Sequence, residues 1–502
     1  MDYLSRFLCI TVLGLSLQAC QNQTVQEDTL RIGLASAPIS LDPRFATDAA
    51  SHKVQELIHC GLVQLGEDFL PKPSLASTWS HPDPYTWAFE LKKGITFHDG
   101  LPVTANDVIA TINGILNPDL SSPLRAGFTS IASVSSLNPS QLTLKLQKPD
   151  ASILTRLNLG ILPASRANLR HNARETVGCG PFKLDAWVNN TLNLVRHSES
   201  SASNINHIKV LAIKDPVTRV LKLARNEIDF TQNDLPPHLI PWLQKQPNIT
   251  INHQPSTTFS YLGLNMLDPI LKQQKVRKAL ALALDRNLLK KALFGNLPTL
   301  GESILTPKHW ASASLPTTPF DTKQAEQLLD EAGFPKNEQG IRFSLNYRTS
   351  TNPTRLRLVT AIADAWKRIG IEVSIESLEW GGFYARIKQG DFQVFSLSWV
   401  GITDPDIYRW VLHSDMQPPK GANRGRYINQ EVDSWLEQAA ISENLNERQE
   451  LYRRIQQQMA DDQVYIPLWF DAVIAVSGER LQGFIPTNNG SLLPLLKAHL
   501  KP

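Results

Sequence analysis

The sequence predicts an α/β protein of more than one lobe, and three observations lead there. The chain has 502 residues, 42% of them hydrophobic and 19% charged, which is more than one hydrophobic core usually organises. Between Ile341 and Ile375 a strand pattern, a helix pattern and a second strand pattern follow one another. A crossover of that length joins parallel strands and should be right-handed. The first half, by contrast, alternates short strand-like runs with turn signals.

The elements follow in order. Phe7 to Leu17 is an apolar run broken only by Thr11, Gly14 and Ser16, with Arg6 ahead of it. It is too short to span a bilayer, which needs roughly 20 apolar residues, and has the length and flanks of a signal peptide's apolar region. Leu17-Gln18-Ala19-Cys20 ends it with a small residue and a cysteine, which resembles a bacterial lipoprotein box. That resemblance implies removal of residues 1–19, lipidation of Cys20 and a polar tether over 20–28. An ordinary signal peptide is the alternative, and either reading places the remainder outside the cytoplasmic membrane. No later apolar stretch is long enough to cross a bilayer, and a net charge of +3 is too small and too evenly spread for nucleic acid.

Leu30, Ile32 and Leu34 alternate with Arg31 and Gly33 as a first strand that Ser36-Ala37-Pro38 ends. Residues 61 to 175 mix strand-like runs with turns at His81-Pro82, Asp83-Pro84 and Asp99-Gly100, and Asn106 to Leu116 reads as a helix. Strand patterns return at Leu192 to Val195 and Ile208 to Ile213. Lys275 to Phe294 reads as one helix, with Val276, Leu280, Leu284 and Leu288 four residues apart and Gly295 as its stop. Asp321 to Ala332 is another, closed by Gly333. In the strand–helix–strand unit, Pro353 takes a favoured first helical position and Gly370 stops the helix. A short helix near Phe383 to Lys388 and a strand from Gln393 to Trp399 follow.

Cysteine use is sparse. Cys9 leaves with the leader, so Cys60 and Cys179 remain beside Cys20. One disulfide is possible, but two buried thiols are the expected state.

Ligands of open α/β sheets bind beyond the carboxyl ends of the strands. Three such ends carry notable residues: Ser36, Arg348 and Trp399-Val400-Gly401. Arg348 also lies just before a helix N-terminus, and the two together suit a carboxylate; a solvated loop arginine is the plain alternative. Trp399 to Asp406 reads either as a pocket wall or as a core tryptophan followed by an Asp-Pro turn. Catalytic signals are weak: there is no Gly-x-Ser-x-Gly, no His-Glu-x-x-His, no Cys-x-x-Cys and no phosphate-binding glycine loop. His52 and His59 lack further metal ligands, and Phe97-His98-Asp99-Gly100 fits a tight turn better than an acid/base pair. Neither an enzyme, a cofactor nor a resident metal is expected.

The run Lys92 to Gly100, continued by Leu101 to Val108, closely resembles the marker segment of the family 5 solute-binding proteins, the dipeptide-, oligopeptide- and nickel-binding receptors of ABC importers. The resemblance extends in order along nearly the whole mature chain, through Leu41-Asp42-Pro43, Val177 to Phe182, Val276 to Ala279, Ala283 to Arg286, Gly421 to Tyr427 and Ile466 to Trp469. It implies a periplasmic-binding-protein-like α/β fold, two lobes around a hinge with an extra inserted N-terminal domain. Lobe I would be discontinuous over 29–60, 176–257 and 471–502, with the insert at 61–175 and lobe II at 258–470. The hinge would lie near Ser256 to Ser260 and near Phe470.

The resemblance also bears on ligand. In dipeptide-binding members an arginine before an Asn-Pro helix start holds the ligand carboxylate, and Arg348, ahead of Asn352-Pro353, stands at that place with a slightly longer loop. Peptide binders carry an amine-pairing aspartate three residues after the strand-end tryptophan, and here that place is Ile402. Asp404 could substitute by a loop shift, or the ligand lacks the amine; the stretch is nearer to the nickel-type members, whose chelates carry carboxylates. The expected set is therefore Arg348 as anionic clamp, Trp399 as apolar wall with Gly401, and Ser36, Tyr261 and Asp404 as hydrogen-bonding residues. The expected partners are a short peptide or other small carboxylate ligand, an ABC permease and a membrane reached through the lipid anchor, for a monomer. A nickel chelate is the alternative ligand, and a secreted hydrolase or a structural envelope lipoprotein the alternative class.

Overall fold

The computed structural model describes residues 27–170, 172–197 and 203–501; the leader 1–19, Cys20 and the tether up to Gln26 lie outside them. Strand β1 (Thr29–Leu34) buries Leu30 and Ile32 completely, as their alternation requires. Helix α1 (Ala49–Ile58) starts where the Asp48 carboxylate accepts the Ser51 N–H. Strands β2 (Ala76–Asp83), β3 (Thr86–Leu91), β4 (Ile131–Asn138) and β5 (Gln141–Leu146) form a separate antiparallel sheet in the order β2-β3-β5-β4. Helix α2 (Ala105–Leu116), started by a Thr104/Asp107 capping box, shares a core with that sheet from Leu62 to Ile161. Phe97 to Gly100 is the turn expected: Gly100 has φ +87° and donates to the Phe97 carbonyl at 2.9 Å.

The chain then forms β6 (Phe182–Val188), β7 (Thr191–Arg196), β8 (His207–Ala212), α3 (Pro216–Ala224), β9 (Phe230–Gln232) and the long β10 (Ile249–Leu264). Helices α4 (Gln274–Leu282), α5 (Arg286–Phe294) and α6 (Thr322–Glu331) precede the unit β11 (Phe343–Ser350), α7 (Pro353–Arg368), β12 (Ile371–Leu378). Helix α8 (Trp380–Gln389), β13 (Val394–Trp399), α9 (Ile407–Leu412), α10 (Gln430–Ile441), α11 (Leu445–Asp461) and the long β14 (Tyr465–Gly478) follow.

Ten of these strands, in the order β12-β11-β13-β10-β14-β9-β1-β8-β7-β6, form one sheet with the short strand Thr299–Leu300, which pairs with β14. Strand β11 runs parallel to β12 and β13, and β1 runs parallel to β8 and β9. Only β10 and β14 belong to both halves. Their antiparallel ladder runs from Ile249↔Gly478 to Pro255↔Ala472, shifts register, and resumes from Phe259↔Phe470 to Gly263↔Tyr465. One half of the sheet has a core on each face. Phe259, Tyr261, Phe395 and Leu397 face α8 to α11, and Leu262, Leu264, Leu345 and Tyr347 face α4 to α7. The other half has its own cores around Leu30, Ile32 and Phe230 and around Val220 and Leu223.

Two expectations are corrected. Lys275 to Phe294 is two helices, because Ala283 ends the first and the Asp285 carboxylate accepts the Leu288 N–H to start the second. The apolar stripe fails at the same point, with Leu284 buried and Leu288 61% exposed. Cys60 and Cys179 are joined in a disulfide, not left as thiols, with Cα atoms 5.4 Å apart. The two ends of the segment between them meet: Gly180 donates to the Ile58 carbonyl at 2.8 Å. A Cβ on Gly178 would sit 2.0 Å from the same oxygen, so only glycine permits the approach.

Candidate functional site

Strand β13 ends at the level where the β10–β14 ladder breaks, since Trp399 pairs with Phe259 and Phe259 with Phe470. Gly401, at φ +71°, then reverses the chain. The Ile402 N–H donates to the Thr257 carbonyl at 3.1 Å, and the Thr257 N–H donates to the Asn488 carbonyl at 3.2 Å. The backbone at the ladder break is thereby tied both to the strand-end loop after Trp399 and to the C-terminal segment. Val400 and Gly401 are exposed beside it, and Ser36 is exposed two residues beyond the end of β1.

Trp399 sits over a buried aromatic group. Tyr261 stacks on it with ring centroids 5.9 Å apart and planes 6° apart, and Tyr465 lies 4.3 Å from Tyr261. Tyr261 is completely buried, so it supports the tryptophan from beneath and does not offer the cleft hydroxyl expected of it. Its hydroxyl accepts a hydrogen bond from Arg424 Nη1 at 3.2 Å. Burial pushes its phenol pKa well above 10, which keeps it neutral.

Arg348 does not reach the strand ends. Its Nη2 donates to Asp391 at 2.8 Å and lies 3.3 Å from Glu376, so the guanidinium is already neutralised. Asp391 follows the end of α8, just before β13, and the long side chain runs toward that end of the strand. Arg348 keeps its expected place along the strand, and its guanidinium is engaged by Asp391 and Glu376. Asp404 is also engaged elsewhere, accepting Ser152 Oγ at 2.9 Å and Thr155 Oγ1 at 2.6 Å from the inserted sheet's segment. It lines a crevice of about 440 Å³ together with Trp79, Trp87, Trp310 and Arg448. The Asp404 carboxylate is thus occupied by Ser152 and Thr155, and Ile402 stands at the amine-pairing place.

Two arginines escaped the sequence reading. Arg355, in the first turn of α7, donates to Ser398 Oγ at 2.8 Å; Ser398 and Ser260 hydroxyls lie 2.8 Å apart, and Ser260 reaches Asp471 at 3.3 Å. This polar chain crosses from α7 through β13 and β10 to β14. Burial raises the Asp471 pKa, and the Arg355 charge opposes that rise. Arg424 lies on the opposite face of the sheet, in the Gly421–Tyr427 segment. Its guanidinium lies 4.6 Å from the centre of the Trp399 ring and 5.5 Å from that of Tyr384, and its Nη2 donates to the Tyr384 hydroxyl at 3.1 Å. The loop carrying it is fastened by Asn423, whose amide donates to Leu412, His413 and Tyr427 carbonyls and accepts the Tyr427 N–H. The one sequence signal was that this segment belonged to the resemblance.

Among the described residues His59 and His98 serve structural roles. His98 receives the Gly178 N–H on Nδ1 and donates through Nε2 to Gly180, while burial lowers its pKa to about 4, so it is a neutral structural link. His59 is buried against the Leu41 carbonyl. Among the described residues no cluster of His, Cys, Asp and Glu is arranged to hold a metal. A sheet continued through two central strands, with an exposed strand-end loop at their break, makes this an α/β protein of two lobes.

Comparison with known proteins makes that class specific. Residues 71–417 match the family profile "Bacterial extracellular solute-binding proteins, family 5 Middle". The oligopeptide-binding protein AppA of Bacillus subtilis (strain 168) is 26% identical over 487 residues, covering 91% of this chain and 89% of AppA. The glutathione-binding protein GsiB of Escherichia coli (strain K12) is 25% identical over 498 residues, covering 95% of each. The solved structure of NikZ from Campylobacter jejuni in complex with Ni(L-His) superposes with TM-score 0.75 at 24% identity, covering 95% of this chain and 100% of NikZ, and shows the same fold. The chain belongs to the family 5 bacterial extracellular solute-binding proteins. It is a non-enzymatic, extracytoplasmic substrate-binding protein of an ABC importer.

Proposed function

We propose that this protein is the lipid-anchored receptor of a peptide-type importer, capturing short peptides between two lobes and presenting them to an inner-membrane permease. Lobe I comprises 29–60, 176–257 and 471–502, lobe II 258–470, and 61–175 is the inserted domain. Residues 1–19 are the leader, Cys20 carries the lipid and 20–28 form the tether. The observation that carries the reading is the shared break in β10 and β14, between Pro255/Ala472 and Phe259/Phe470, at the level of Trp399. Two strands that lose register together are a short segment able to absorb the backbone rotation of lobe closure. The strand-end loop with Trp399 and Gly401, and Ser36 across from it, form the capture surface. Closure desolvates these groups and strengthens every polar contact to the ligand.

The peptide reading takes support from AppA and GsiB, named for oligopeptide and glutathione binding. One observation favours a second ligand class. With Ile402 at the amine-pairing place and Asp404 hydrogen-bonded to Ser152 and Thr155, a peptide α-amine meets no carboxylate there, and an unpaired buried ammonium is costly. A metal chelate or other carboxylate ligand lacking that amine avoids the cost. Native mass spectrometry of the gently purified protein decides between them: a heterogeneous set of short peptides is the expected result, and a single chelate supports the second class. The absence of both a retained ligand and any melting-temperature rise with peptide and chelate panels contradicts both.

A further inference from the structure

Arg424 is a buried charge without an opposite charge. It is 8% exposed, and among the described residues no carboxylate lies within ion-pair distance of it. Of the other buried arginines, Arg44 pairs with Asp42, Arg286 with Glu302 and Arg348 with Asp391 and Glu376, while Arg219 and Arg277 have no ion pair among the described residues but donate to backbone carbonyls. Arg424 has two phenol oxygens, Tyr261 and Tyr384, and the ring faces of Trp399 and Tyr384. Cation–π contacts and neutral hydrogen bonds offset only part of the desolvation cost of a guanidinium. Of its five N–H donors, the two phenols take one each.

The surroundings lead to the capture surface. Trp399 is the last residue of β13, beside exposed Val400 and Gly401. Tyr384 stacks under Trp380, the first residue of α8, with centroids 5.6 Å apart, and Trp380 is 54% exposed. The guanidinium thus lies against the rings of Trp399 and Tyr384, and Trp380, which stacks on Tyr384, is exposed beyond them. Asn423 fixes the loop that supplies it, so the charge is held in place before any ligand arrives.

Resting on the capture reading above, we propose that Arg424, not Arg348, is the anion-recognising residue of this receptor, pairing a ligand carboxylate beside the rings of Tyr384 and Trp399. The ligand then completes a charge the fold leaves unpaired. A planar guanidinium accepts a carboxylate through two parallel N–H bonds, which selects for a carboxylate over an amide.

The test uses the full mature protein and three probes: an equimolar tripeptide mixture with free C-termini, the same mixture C-terminally amidated, and nickel(II)–histidine. Retained probe is quantified by native mass spectrometry and affinity by competition. Wild type is expected to hold a carboxylate-bearing probe, with the free-acid peptides favoured over their amides. R424Q is expected to weaken free-acid or chelate binding by about tenfold to a hundredfold and to abolish the acid-over-amide preference, with R348A leaving both intact. R424K keeps the charge and loses the fork, so it recovers part of the affinity; it also serves where R424Q does not fold. Equal acid and amide binding by wild type, or an undiminished acid preference in folded R424Q, overturns the Arg424 assignment while leaving capture standing. Binding of none of the three probes by wild type overturns the capture reading itself, and the Arg424 assignment with it.

Discussion

Replacing Cys60 and Cys179 together by serine should loosen the root of the inserted domain. The cross-link spans 119 residues of sequence. In the chain-entropy account, closing a loop of that length removes enough freedom from the unfolded chain to stabilise the fold by about 5 kcal/mol at 25 °C. Residual structure in the unfolded chain lowers the realised value. A loss of about 2–4 kcal/mol is therefore expected. Urea unfolding followed through tryptophan fluorescence reports it, since Trp79 and Trp87 lie in the inserted sheet. Alkylation of the never-reduced, denatured protein and mass spectrometry of the Cys60 and Cys179 peptides reports the bond itself. Two alkylated thiols in that experiment, or superimposable unfolding curves for wild type and the double variant, would refute the reasoning.

Arg348→Ala should leave ligand affinity unchanged and lower stability by about 1 kcal/mol, because Asp391 and Glu376 are partly exposed; a large loss of binding in a folded variant would restore the clamp role. Burial, and then Asp404, push the Asp406 carboxyl up from 3.8 to about 6. The folded state thus binds this proton more tightly than the unfolded chain, so the group's contribution is favourable below its ordinary pKa and is lost as pH rises through about 6. Asp406→Asn should therefore match wild type near pH 4 and exceed it at pH 7.5 by up to about 3 kcal/mol; a difference independent of pH in thermal melts contradicts this. Gly178→Ala should cost about 1–3 kcal/mol by forcing a Cβ against the Ile58 carbonyl, and an unchanged melting temperature would show that the junction yields.

The strand–helix–strand unit was legible because its signals agree: alternation, then Pro353 at a helix start, Gly370 at a helix stop, then alternation again. The α4–α5 break was not, because the four-residue apolar spacing continues across it while Asp285, a local capping signal, outweighs it. The disulfide was hidden because it depends on the two ends of a long insertion meeting, which no local pattern encodes. The candidate positions divided the same way. The strand end at Trp399 and the turn at Gly401 follow from strand pattern and turn chemistry, which sequence carries. The Asp391 and Glu376 partners of Arg348 were hidden because sequence gives a residue's place along a strand but not where its long side chain ends. Arg424 was unreadable because its place depends on Asn423 fastening an irregular loop beneath Trp399.

Capture of a small ligand should proceed by closure about the β10–β14 break. Small-angle X-ray scattering of the mature protein, alone and titrated with the free-acid tripeptide mixture or with nickel(II)–histidine, tests it most directly. The expected result is a saturable fall in radius of gyration with whichever probe binds. Stoichiometric binding with unchanged scattering would contradict hinge closure, and no binding at all would contradict capture.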